Sequence, residues 1–243
     1  MRCPSALELV AAWEQGVQQP SFERALTLLG AASTEPREEL AKLSVGARDA
    51  RLLELCEMVF GPRFDAFAEC PACDERLEYS FSALDLRGHP DVSHSAPEFE
   101  AAMGQIRMRL RLLTSEDLRA AGRIPDVAVT RRVLAERCVV DASRGEEAIP
   151  AQALSEELLD FAASRVAEAD PAADQQIKLN CPACGHNWQV LFDVERFLWA
   201  KVNALVKRLL TEVHLLARAY GWTEREVLAL GARRRQFYLE MVG

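Results

Sequence analysis

The sequence predicts an α+β protein, mainly helical, organised round a small β unit, with a helical insertion and a long C-terminal helix. Three observations predict it. The word Cys-Pro-Ala-Cys occurs twice, at Cys70–Cys73 and Cys181–Cys184, with 107 residues between the copies, and alternating apolar residues follow each. The first sixty residues carry apolar side chains at helical spacing. So do the last fifty, over about six turns without a break.

After the first cysteine pair, Leu77, Tyr79 and Phe81 alternate with Glu78 and Ser80; after the second, Trp188, Val190 and Phe192 take every second place. A period of two reads as a strand. Leu191 interrupts the second alternation, which predicts a strand covered on both faces. Gln176 to Leu179 predicts an incoming strand. Each half is then a tight turn presenting two thiolates. Proline suits such a turn because it fixes one backbone angle and removes a donor. Gly185 can take a left-handed conformation. Asp74 holds the matching place in the first turn, so the two turns need not be identical.

Two CxxC pairs supply the donor set of one tetrahedral structural zinc site, and Cys70, Cys73, Cys181 and Cys184 are the expected ligands. The result is a zinc-ribbon-like unit. Four protein ligands close the coordination sphere and leave no place for water or substrate, so the expected role is to hold the fold together. CxxC is also the redox motif of thioredoxin-like proteins, but that reading needs a βαβ pattern, which the sequence lacks. Two separate two-cysteine sites would each lack half their ligands. His186 is read as a solvated loop residue.

The chain has 243 residues, 49% apolar and 27% charged, which suits one large or two small globular domains. Cys3, Cys56 and Cys138 are scattered and no secretory leader is evident, so reduced thiols in the cytoplasm are expected. No apolar run reaches membrane-spanning length. The net charge of −8 is uneven: from Arg196 onward nine Lys or Arg face four acids, +5, and the other 195 residues carry 20 basic and 33 acidic groups, −13. An acidic body with a basic end can bind acidic partners or its own neighbours in an assembly. It disfavours nucleic acid, because the chain as a whole would repel a phosphate backbone.

Along the chain, Ser5 and Glu8 form a capping box, ahead of Ala6, Val10, Trp13 and Val17 at helical spacing. Phe22 to Leu29 predicts a second helix ending near Gly30, and Pro36 with its acids opens another. Ala47 to Phe60 predicts a longer one, closed by Gly61-Pro62. Gly88 to Glu98 reads as a loop with solvated His89 and His94. Ile106, Met108, Leu110 and Leu112 alternate with Arg107, Arg109 and Arg111. That is a strand with three guanidinium groups on one face, either solvated or set against an anionic partner. Helices follow from Thr114 to Ala121, Val129 to Cys138 and Leu154 to Ala169. In the last fifty residues Leu198, Val202, Leu205, Leu209, Val213, Leu216 and Tyr220 make one apolar face, and Gly221 stops the helix. His214 lies within it, read as packed or solvated. Thr223 with Glu226 caps a short helix to Leu230. Arg233-Arg234-Arg235 and the apolar group Phe237, Tyr238, Leu239, Met241 and Val242 end the chain. This end either folds back on the long helix or docks on another protein.

The expected organisation is a helical region over 1–62, the zinc-ribbon-like unit from 63–87 plus 176–195, inserted strand and helices over 88–175, and C-terminal helices over 196–243. There is no Gly-rich phosphate loop, GxSxG, HExxH or cysteine with an evident partner histidine, and no catalytic residue is nominated.

Two stretches resemble a known family. Glu212-Val-His-Leu-Leu-Ala-Arg-Ala-Tyr-Gly-Trp-Thr-Glu-Arg-Glu-Val-Leu-Ala-Leu, followed by Arg233-Arg-Arg-Gln-Phe-Tyr-Leu, resembles the C-terminal signature of small baseplate and tail-assembly proteins of contractile-tailed phages and of phage-tail-like contractile injection systems. Arg48-Asp-Ala-Arg-Leu-Leu-Glu-Leu through Phe60-Gly-Pro-Arg, running into Cys70-Pro-Ala-Cys, and the second Cys-Pro-Ala-Cys-Gly-His are similar to the injection-system branch. The resemblance implies a non-enzymatic baseplate component or assembly factor, whose partners are other baseplate or tail proteins. It implies incorporation into a particle, and the C-terminal helices also suit self-association. The alternatives are a zinc-ribbon nucleic-acid-binding protein, recognised by salt-dependent binding, and a CxxC thiol oxidoreductase, recognised by an accessible low-pKa cysteine.

Overall fold

The computed structural model describes residues 1–86 and 98–242. His89 and His94, and most of the loop expected over Gly88 to Glu98, lie outside the described residues.

The chain opens with α1 (Ala6–Gly16), α2 (Ser21–Ala32), α3 (Arg37–Ala41) and α4 (Val45–Phe60). The capping box forms as the sequence predicts: the Ser5 amide donates to Glu8 at 2.8 Å and the Glu8 amide to Ser5 Oγ at 3.3 Å. Gly30 lies inside α2 and does not end it, because Ala31 and Ala32 still pack inward. A hairpin of β1 (Arg63–Glu69) and β2 (Arg76–Ser82) follows, then α5 (Ala83–Leu86).

The insertion is more than helices and one strand. It holds an antiparallel meander of β3 (Phe99–Met103), β4 (Ile106–Leu110), β5 (Val139–Arg144) and β6 (Glu147–Ala148), with α6 (Ser115–Ala121) and α7 (Val127–Cys138) between β4 and β5. The sequence hides β3, where alanines weaken the alternation, and β5, which starts with no breaker after Cys138. The arginine strand alternates as expected, with Ile106, Met108 and Leu110 buried and Arg107 and Arg109 outward. α8 (Glu156–Ala169) covers this sheet. Leu154, Leu159, Ala162 and Val166 complete a core with Met108, Leu110 and Cys138.

A second hairpin, β7 (Gln176–Asn180) and β8 (Asn187–Leu191), leads to α9 (Val194–Tyr220), α10 (Glu224–Ala229) and α11 (Ala232–Val242). α9 has 27 residues and so runs about 40 Å. It is the spine of the larger core, to which Leu198, Val202, Val206 and Leu209 contribute, packed against α1, α2 and α4. α1 comes close to α9 at Gly16, where an added Cβ would lie 2.5 Å from the Trp199 ring. Trp13 Nε1 donates across the same contact to Asn203 Oδ1 at 2.9 Å.

Leu191 corrects one expectation. It is 64% exposed, and β8 buries only one face, because it belongs to a two-stranded ribbon.

Candidate metal centre

Each Cys-Pro-Ala-Cys word is the turn of a hairpin. An aromatic box sets the two hairpins side by side. Phe64 from β1, Phe81 from β2, Phe192 after β8 and Phe197 from α9 meet with ring centroids 4.8–5.9 Å apart. Three of these contacts are edge-to-face, which adds a directional contribution to area burial. The box docks the base of both ribbons on α9, so their tips converge.

The two turns are the same, contrary to the allowance made for Asp74. The Cys70 amide donates to the Glu75 carbonyl at 2.9 Å and the Asp74 amide to the Cys70 carbonyl at 2.9 Å; in the second turn Cys181 donates to His186 at 2.9 Å and Gly185 to Cys181 at 2.8 Å. Asp74 and Gly185 both take positive φ, 57° and 74°. Aspartate tolerates the left-handed region better than most side chains, at a cost glycine avoids.

The turns bring Cys70, Cys73, Cys181 and Cys184 together, with all four Sγ atoms within 4.8 Å of one another. The closest approaches run between turns: Cys70 to Cys184 at 3.7 Å and Cys73 to Cys181 at 3.6 Å. A disulfide needs about 2.05 Å, so these are not bonded pairs. Four sulfurs at about 2.3 Å from one zinc lie about 3.8 Å apart. The donor set and its spacing therefore fit a tetrahedral thiophilic cation.

Cys70 and Cys181, first in each word, are buried, and Cys73 and Cys184 are exposed. Burial opposes ionisation of Cys181, but the Cys184 and Ala183 amides favour its thiolate, and the balance lowers it to about 7. The Glu75 amide favours the Cys73 thiolate too, yet the surrounding sulfurs push that thiol up to about 12. One proton leaves readily and the next is held back by crowded sulfur charge. A divalent cation would relieve that repulsion.

The other nominated groups sit elsewhere. Arg109 pairs with Glu98 at 3.0 Å and Asp141 at 2.6 Å, and Arg111 forks onto Asp117 at 2.7 and 2.8 Å. Arg137 adds a third bond to Asp117 at 2.7 Å. Burial alone would raise this carboxyl, but Arg111, the Thr114 amide and Arg137 hold it at about 2. Arg107 donates to the Gly145 carbonyl at 3.3 Å. The arginine strand is thus largely neutralised within the chain. In the terminal run Arg235 is only 5% exposed and donates to Glu212 at 2.6 Å and the Leu230 carbonyl at 2.8 Å. His186 stacks on Trp188, with ring centroids 6.0 Å apart, and His214 is exposed. Cys56 and Cys138 are buried, which pushes both thiols up to about 12.

Sequence reading missed a polar node beside the hairpins. Arg48 and Asp49 pair at 2.7 Å, and Glu195 Oε1 lies 3.0 Å from Arg24 Nε. Burial pushes Glu195 up to about 7 and Asp49 to about 6, against the pull of Arg24 and Arg48 respectively. Asp170 Oδ2 accepts from the Gly46 amide at 2.9 Å, inside the protein. No local pattern marks these residues.

A family model described as T4 bacteriophage base plate protein matches residues 8–199. The chain belongs to this base plate family. No curated protein and no solved structure gives a match. The base plate match takes in both cysteine words, the whole insertion and the start of α9. The rest of α9, with α10 and α11, lies beyond it, so the C-terminal resemblance noted above is additional to the match.

Proposed function

We propose that the chain is a non-enzymatic structural or assembly component of the baseplate of a contractile phage-tail-like particle, stabilised by one structural zinc on Cys70, Cys73, Cys181 and Cys184. The observation that carries the role is membership of the base plate family over residues 8–199. The observation that supports the metal is the cross-turn sulfur spacing. Four protein thiolates leave no open coordination position, which suits a structural ion. Among the described residues no helix is long and apolar enough to cross a membrane.

The partners are other baseplate or tail proteins, and α11 is the proposed docking element. Its Arg235 anchors it to α9, while Phe237 and Met241 on the same helix stay 62% and 64% exposed. Changing both to Ser should leave folding and zinc content intact and prevent incorporation into particles. Normal particles from that variant would rule out α11 as the dock. This pair tests docking better than truncation after Gly221, which would also strip off the buried Val227 and Leu228 of α10. For the metal, elemental analysis of purified protein should give about one zinc per chain.

A further inference from the structure

We propose that the outer face of α11, with the groove between α11 and α9, binds an acidic amphipathic segment of another protein, one that sets carboxylates beside an apolar stripe. This rests on the reading of α11 as the docking element and adds the chemistry of what it docks on.

α11 has two unlike sides. Arg235 faces inward and spends its charge on Glu212 and the Leu230 carbonyl. Arg233, Phe237 and Met241 follow at four-residue steps, which sets them on one side of a helix, and Arg234, three before Phe237, flanks them. All four are exposed. Arg208 on α9, Arg233 and Phe237 border a groove of about 560 Å³ between the two helices. The acids on this groove are engaged: Glu212 accepts from Arg235 at 2.6 Å and lies 3.5 Å from Arg208, and Glu240 accepts from Gln236 at 3.2 Å.

Charge decides what fits. Before α9 most arginines meet a carboxylate, as Arg37, Arg111, Arg132 and Arg137 do. On the C-terminal helices Lys207, Arg218, Arg225, Arg233 and Arg234 are exposed and form no ion pair among the described residues. A chain of net charge −8 thus leaves cations unpaired beside an exposed apolar stripe. Carboxylates of a partner segment would pair with the arginines while its apolar side chains cover Phe237 and Met241, which a small anion would not do. A long polyanion such as nucleic acid would also meet the acidic remainder of the chain; a short segment confined to this face would be screened from it.

The test titrates the full chain with two labelled synthetic helical peptides that share one leucine stripe, flanked in one by glutamates and in the other by lysines, read by fluorescence anisotropy. The glutamate peptide should bind saturably with a Kd below about 100 μM, and the lysine peptide at least about tenfold more weakly. Changing Arg233 and Arg234 together to Gln should weaken the glutamate peptide by about tenfold or more, and changing Phe237 and Met241 together to Ser should do the same. In cells that make the particle, Arg233→Glu with Arg234→Glu should block incorporation at unchanged melting temperature. Incorporation lost with the serine pair but kept with the two arginines reversed would leave α11 as the dock and overturn the acidic partner. Normal incorporation of the serine pair would overturn the dock itself, and this proposal with it. Equal binding of the two peptides, no saturable binding, or tighter binding of a single-stranded DNA oligonucleotide than of the glutamate peptide would each overturn the proposal. Self-association of the chain that the glutamine pair abolishes would overturn it too, by assigning the face to a second copy.

Discussion

Among the contacts that tie the inserted segment to the rest of the molecule, two are built on opposite principles. One is the sulfur cluster, where two identical turns aim four thiols at a shared centre. The other is the carboxylate contact at the head of α4, where Asp170 closes on the Gly46 amide and the Leu113 carbonyl accepts from Val45 at 2.8 Å. The first gathers four thiols whose thiolates would repel one another without the proposed cation. The second satisfies a buried acceptor with a free amide at the head of α4, the ordinary solution for a helix start. On the proposed reading one pin depends on an added ion; the other is complete within the chain.

The largest effect is expected from breaking the sulfur pin. Any one of Cys70→Ser, Cys73→Ser, Cys181→Ser or Cys184→Ser should lose zinc and destabilise the fold by several kcal/mol, since metal-binding energy becomes folding energy. Metal analysis and thermal unfolding check this together. Full zinc content with unchanged melting would refute the shared site.

Breaking the carboxylate pin comes next. A Cβ at position 46 would fall 1.9 Å from Asp170 Oδ1 and 2.7 Å from its Cγ, both in the interior. Gly46→Ala should cost about 2–3 kcal/mol in urea unfolding while leaving zinc content unchanged. Loss of zinc in this variant would mean that the two pins are one cooperative unit.

The third test uses pH. Glu195 is raised to about 7 in the fold, so its native state prefers the neutral acid. That contribution is fully present below the unfolded value near 4.5 and is lost as pH rises through about 7. Zinc binding has the opposite trend, because thiols must deprotonate. Comparing Glu195→Gln with the parent at each pH cancels the zinc effect. The variant should gain about 1–3 kcal/mol on the parent between about pH 5 and pH 8. Parallel stability curves would show that burial of this carboxylate costs nothing.

The smallest effect separates the two turns. Asp74→Gly should stabilise by up to about 1 kcal/mol by relieving the left-handed aspartate, and Gly185→Ala should destabilise by about the same amount. Both are read from melting temperature with zinc bound. Equal and opposite shifts would confirm that the turns are energetically as well as geometrically alike.

Much of the fold was legible where the signal is local. Ser5 with Glu8 and Thr223 with Glu226 form their capping boxes, and Gly221 closes α9 at φ 72°. The long apolar face from Leu198 to Leu216 was plain because burial repeats at helical period. The four cysteines stood out because their type, spacing and repetition were independent signs of one chemistry. The sheet in the insertion was half hidden. β4 alternates strongly, but β3 is diluted by alanine and β5 runs straight on from a helix. Asp117 closes the capping box at the start of α6 and is also the anchor of two arginines, one of them from the strand expected to be either solvated or set against an anionic partner.

By itself the sequence determined the hairpin turns, the capped helix starts, the stop at Gly221 and the two cysteine pairs that could serve a metal, because each depends on residues within a few positions of one another. Only the tertiary structure decided that the two turns share one centre, that Arg109, Arg111 and Arg235 are spent on internal carboxylates, and that Glu195 lies buried beside Arg24. Those outcomes depend on groups brought together from distant parts of the chain. Asp170 and Gly46 stand 124 positions apart. Local propensity carries no record of such a meeting; packing round the aromatic box and α9 creates it.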